Sequence, residues 1–256
     1  MLGNQIVAFD WKGMLAHFRQ FDANSSSLSY AFPPPTVITG MIAGLFGIER
    51  DEYYKLFSKR FLELTVQVLT RPRKIMQTIN YIYATQASHL NMSAQNVHTQ
   101  IPVEFVVATQ FPIQPVAYRV FLKFTDEEFG RELEKVITKN QIKYLPYFGS
   151  ASFSSWLEWL GAPEEIEVVK SDNPLVVNSV VPIKAIAHDS LTLDLREEIT
   201  PAYFREHMRR EFAPGREPGE VIDLLWEKNQ GKIKAIFTEP VYRLKLHGED
   251  LNVIFY

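Results

Sequence analysis

The 256-residue chain contains no cysteine, which excludes disulfides, thiolate metal sites and cysteine nucleophiles and leaves the redox compartment unconstrained. No stretch approaches the roughly 18–20 apolar residues of a membrane span. The opening MLGNQIVAFDWKG also lacks the basic start and apolar run of a signal peptide. The expectation is a soluble, cytoplasmic protein with no membrane partner. Excess positive charge is missing too: the formal net charge is −3, whereas an independent non-specific DNA binder carries a strongly basic domain. A grip on a phosphate backbone would have to be local, so charge must be read by position. There is no internal repeat, no low-complexity tract and no Lys-His dipeptide.

An apolar fraction of 46% is enough to exclude a disordered chain. The length allows one large or two modest domains. Aromatic residues make up 13%, with 18 Phe and 11 Tyr, and supply rings for core packing or for base stacking.

Residues 4–11 read as a strand with apolar side chains on both faces, so burial on both sides or a ligand face is expected. After a polar, serine-rich loop (22–29), a helix is predicted over 36–46, with Pro35 ahead of it and Gly47 as a left-handed terminator. Gly40, Gly44 and Gly47 share one side of it and imply close approach by a backbone or a ligand. A short acidic helix is expected at 49–57, and an alternating strand with one covered face at 62–68. Strands follow at 73–84, 101–109 and 115–124, then a helix over 126–138 capped by Asp126. Trp156, Leu157 and Leu160 fit a short helical turn. Beyond residue 164 strands dominate: 164–171, 174–186, 190–197, 232–238, 241–248 and 251–256, the last two joined by a hairpin signal at Gly248-Glu249-Asp250. Residues 201–219 read as a charged connector. This order predicts an α+β, ferredoxin-like split βαβ domain followed by a β-rich part.

The most informative stretch is 17–47, HFRQFDANSSSLSYAFPPPTVITGMIAGLFG, where a basic aromatic patch, a polar loop and a proline-braced helix start follow one another. Together with the strand at residue 6 it resembles the N-terminal signature of the Cas-five family of CRISPR-associated RAMP proteins. YLPYFGSASFSS at 144–155 is similar to that family's second, glycine-bearing block. The remainder agrees in layout more than in letters, with an I-B-like look.

The resemblance implies an RRM-like (RAMP) domain over 1–170 with a β-hairpin thumb inserted at about 71–100, and a β-rich domain over 171–256. It implies a subunit of a type I Cascade surveillance complex that caps the crRNA 5′ handle and touches the adjacent backbone RAMP subunit and the large subunit. Through that complex it meets target DNA indirectly.

On this reading Arg19 pairs with phosphate, or forms a surface salt bridge; His17 donates to phosphate, or holds a strand end. Tyr30 and Phe32 stack on bases or pack the core, and Thr36 opens a helix N-terminus that offers an anion site. Arg71, Arg73 and Lys74 make a basic run at the thumb base. Tyr147, Gly149 and Ser150 form a loop that either cradles the 5′ end or is a plain turn. On the thumb, His89, Asn91, Gln95, Asn96 and His98 can read base edges or a partner backbone; the two histidines lack the carboxylate spacing of a metal motif. Arg205, Arg209, Arg210 and Arg216 form a second basic patch, interleaved with Glu206, Glu211 and Glu217 as in a partly neutralised helix or protein contact.

Some members of the family, in I-C systems, cut precursor crRNA with a tyrosine and an adjacent Lys-His pair. That pair is missing here, so a non-catalytic role without cofactor or metal is expected. The alternative is a metal-independent endoribonuclease assembled from His17, Tyr30, Lys74 or His98.

Overall fold

The computed structural model describes residues 5–23, 26–82, 84–90, 98–193, 199–229 and 231–256. β1 (Gln5–Gly13) leads to two short paired strands, β2 (Phe18–Arg19) and β3 (Ser29–Tyr30), and then to helix α1 (Pro35–Phe46). Pro34 and Pro35 preset the backbone at the start of α1, where a missing N–H costs no intrahelical bond. Gly47 ends the helix at φ 73, and the N–H groups of Gly47 and Ile48 turn back to the carbonyls of Gly44 and Ala43. Residues 49–57 correct the expected acidic helix, being a run of turns. Asp51 sits at φ 72 and accepts the Tyr54 hydroxyl at 2.5 Å, which breaks the helical ladder.

β4 (Leu62–Val68) is followed by a long hairpin, β5 (Pro72–Ile82) and β6 (His98–Ala108), then β7 (Val116–Phe124), α2 (Glu127–Thr138) and β8 (Ser155–Gly161). Asp126 caps α2 as expected, accepting from the N–H groups of Glu128 and Phe129. The principal sheet runs β4-β7-β1-β8, antiparallel throughout. The helical turn expected around Trp156 is therefore a strand. Pairing of 155–161 with β1 along the sheet edge outweighs its short apolar spacing. One face of the sheet, with Phe9, Trp11, Leu64, Val66, Val120 and Leu122, packs against Ile38, Ile42 and Leu45 of α1 and Leu133 of α2.

The rest of the chain is β9 (Glu165–Val169), β10 (Leu175–Val177), β11 (Val181–Pro182), β12 (Tyr203–Arg209), β13 (Phe212–Ala213), β14 (Glu217–Pro218), β15 (Val221–Glu227), β16 (Ile233–Ala235), β17 (Val241–Leu246) and β18 (Glu249–Val253). β17 pairs with both β9 and β18. The β17–β18 turn is His247-Gly248, both at positive φ, one residue ahead of the expected signal.

Leu244, Leu246, Leu251 and Val253 cover Ile6, Ala8 and Phe121 on the second face of the principal sheet. That explains the two-sided burial of β1. Val180, Met208, Leu224, Trp226 and Tyr256 join the main core, so residues on both sides of position 170 share one packing. The connector expected at 201–219 instead contains β12, which pairs with β15 over seven registered positions. In the strand expected at 190–197, residues 190–193 have no strand structure, and 194–198 lie outside the described residues.

Candidate nucleic-acid interface

The two sequence blocks that stand out at 17–47 and 144–155 meet in space. The His17 N–H donates to the Phe148 carbonyl at 3.1 Å, and Ala16 exchanges backbone hydrogen bonds with Val106 of β6 at 2.9 and 2.8 Å. Gly149 sits at φ 77 against this junction, where a Cβ atom would lie 2.1 Å from the His17 carbonyl oxygen. The glycine is therefore required by close approach of protein backbone, not by a ligand. Beside it Tyr147 is 47% exposed and Ser150 half-buried, so the loop presents a ring and a hydroxyl next to the hairpin base.

His17 has both ring nitrogens engaged. Nδ1 lies 2.8 Å from the Glu104 carbonyl, which can only accept, so Nδ1 carries the proton and Nε2 of the neutral ring accepts from the Ser27 hydroxyl at 2.9 Å. Burial holds its pKa below the ordinary value, although the bond to the Glu104 carbonyl works the other way. The ring staples the 16–29 segment to β6 and has no nitrogen left for a phosphate.

Tyr30 and Phe32 belong to the core. The Tyr30 hydroxyl donates to the His207 carbonyl at 2.8 Å, and burial pushes its pKa up to about 12. Phe32 is fully buried, edge-on to Trp226. Neither ring offers a face to a base. Thr36 is half-buried at the start of α1, where the N–H groups of Val37 and Ile38 already turn to the Pro34 carbonyl at 2.9 and 3.1 Å. Little of the anion site expected there is left.

The basic run divides. Arg71 and Arg73 are exposed and have no ion-pair partner among the described residues. Lys74 pairs with Glu104 at 3.1 Å, on a carboxylate that also accepts the Ser29 N–H. Arg19 is exposed on β2. Arg19, Arg71 and Arg73 are thus exposed cations without an ion-pair partner among the described residues.

Of the residues expected on a thumb, His98 is exposed at the far end of β6, opposite Ile82. His89 closes a short turn and lies near Thr85 and Gln86. Asn91, Gln95 and Asn96 lie outside the described residues.

Of the second basic patch, Arg205 and Arg209 share one side of β12 with His207, the last two set against the exposed ring of Phe21, while Arg210 is fully buried. The period-2 spacing was legible in YFREHMR, but the interleaved glutamates suggested a partly neutralised helix or a protein contact instead.

No family model matches the chain, and no curated protein matches it. Solved structures do. A CRISPR protein from Archaeoglobus fulgidus superposes with a TM-score of 0.51 and 15% identity over 98% of both chains. A chain of a CRISPR RNA-guided surveillance complex superposes with a TM-score of 0.51 and 10% identity over 92% of both. The fold is therefore one found among CRISPR-associated proteins.

Proposed function

We propose that the protein is a non-catalytic subunit of a type I CRISPR surveillance complex that holds the 5′ handle of crRNA. The observation that carries this reading is the junction of 17–47 with 144–155. The two blocks that resemble the Cas-five family are far apart in the chain, yet they share a backbone hydrogen bond and a glycine contact at the hairpin base. The likeness in fold to a surveillance-complex chain over 92% of its length supports the same reading.

The order β1-α1-β4-β7-α2-β8 and the antiparallel sheet β4-β7-β1-β8 fit a ferredoxin-like domain. The β5–β6 hairpin falls in the place of a thumb. Two strands alone are marginal in water, and Met76, Ile82 and Leu90 are exposed along this one. A neighbouring backbone subunit would cover them. Because β17 and β18 cover the second face of the principal sheet, bases do not stack on that face. RNA runs instead past Arg19, Tyr147 and Ser150 to Arg71 and Arg73.

The endoribonuclease alternative draws less support. Of its four residues, His17 has no open nitrogen, Tyr30 is buried and harder to ionise, and Lys74 is paired with Glu104. General acid-base work needs groups within reach of the reacting oxygens.

Titrating labelled single-stranded repeat RNA against the protein at several salt concentrations tests the interface. Arg19→Ala and Arg73→Ala should each weaken binding and each lower the salt slope by about 0.7, the share of one phosphate contact on a single strand. Unchanged slopes in both variants would remove these residues from the RNA path.

A further inference from the structure

The charges that interleave along residues 205–210 are sorted by the strand they form. Successive side chains of a strand point to opposite faces. Arg205, His207 and Arg209 therefore lie along one side of β12, while Glu206, Met208 and the following Arg210 are buried on the other. The glutamate that would have neutralised the row faces inward, where Glu206 Oε1 accepts the Ala31 N–H at 3.3 Å.

The outward row is organised by two groups from other elements. The first is Phe21, 41% exposed, with the Arg209 guanidinium 4.5 Å from its ring centroid and the His207 ring at 5.8 Å. A guanidinium stacked on a ring keeps its N–H donors at its edge, open to a bidentate acceptor. Among the described residues Arg209 has no ion-pair partner. The second is Asp223 of β15, which accepts from Arg205 at 3.0 and 2.9 Å and lies 2.7 Å from His207 Nδ1. One carboxylate thereby orients two side chains; it offsets the charge of Arg205 and leaves that of Arg209 in place.

The row is continuous with the interface described above. Phe21 follows Arg19 by two residues in the segment after β2. The Tyr30 hydroxyl on the paired strand β3 donates to the His207 carbonyl at 2.8 Å. An aromatic ring beside a line of basic donors is the arrangement with which proteins track an extended single-stranded backbone.

We propose that Arg209, seated on Phe21, together with His207 and Arg205, forms a phosphate subsite that extends the single-stranded RNA path from Arg19 onto β12. This rests on the RNA-binding reading above. The test is fluorescence anisotropy with labelled single-stranded repeat RNA across a salt series, comparing wild type with Arg209→Ala, Arg209→Lys, Phe21→Leu and Arg19→Ala. Arg209→Ala should bind about five- to tenfold more weakly and lose about 0.7 from the salt slope. Arg209→Lys should weaken binding but keep the slope, because it retains the charge and loses the fork. Phe21→Leu should weaken binding with the slope retained.

If Arg209→Ala binds like wild type while Arg19→Ala is weakened, the subsite is wrong and the RNA-binding reading stands. If wild type shows no salt-dependent binding, both fall. Should Arg209→Ala melt early, Arg205→Glu at an exposed position decides the matter by the same two readouts.

Discussion

Gly149 and His17 act as a pair at the residue scale: one permits the contact and the other is held by it. A side chain at position 149 would take up a left-handed conformation and overlap the His17 carbonyl. Gly149→Ala is accordingly predicted to cost about 2 kcal/mol or more of stability, read as a lower urea midpoint with unchanged slope. His17 carries a pH signature. Its folded-state pKa lies below the ordinary 6.5 because of burial, so the unfolded chain takes up the proton first. The stability it contributes is complete above about pH 6.5 and is lost as the pH falls through the lowered value. The stability gap between wild type and His17→Gln should therefore narrow from about pH 7.5 to about pH 5; a constant gap would contradict the assignment. Sequence could not separate stacking from packing at Tyr30 and Phe32. The prolines after them fix the backbone, whereas burial is decided by β12 and Trp226, nearly 200 positions away.

What was legible at the scale of elements was what local chemistry decides. α1 begins at Pro35, one residue ahead of the expected start, and stops at Gly47 as its letters predict, and Asp126 caps α2, because caps and terminators act within a few residues. Two misread elements were decided by distant partners: 155–161 is a strand because β1 lies beside it, and 203–209 is a strand because β15 does. The glycine face of α1 was only half legible. Gly40 faces the Tyr53 side chain, whereas at Gly44 a backbone does approach, the Tyr144 N–H donating to the Gly44 carbonyl at 3.2 Å. A Cβ at Gly44 would meet Tyr144 at an ordinary 3.9 Å. Gly44→Ala is thus predicted to stabilise the protein by up to about 1 kcal/mol through helix propensity, and Gly44→Leu to destabilise it through overpacking. Thermal melts of the two variants, moving in opposite directions from wild type, check this.

In the whole molecule the principal sheet is covered on both faces, and the hairpin stands off from it. Among the described residues, the hairpin is tied to the 16–29 segment at its base, up to Pro102 and Val103. Replacing residues 78–102 with an Asn-Gly turn between the paired Gln77 and Val103 should leave cooperative unfolding and RNA binding intact. It should abolish co-assembly with a neighbouring subunit, as read by size-exclusion chromatography of the reconstituted complex. The most direct measurement of the central claim is incubation of the purified protein with labelled precursor RNA carrying repeat and spacer, in EDTA, scored on one gel for retention and for cutting. Retention that depends on the 5′ handle with no new fragments is the predicted result. Specific cleavage at the base of the repeat would contradict it and make the protein a processing endoribonuclease.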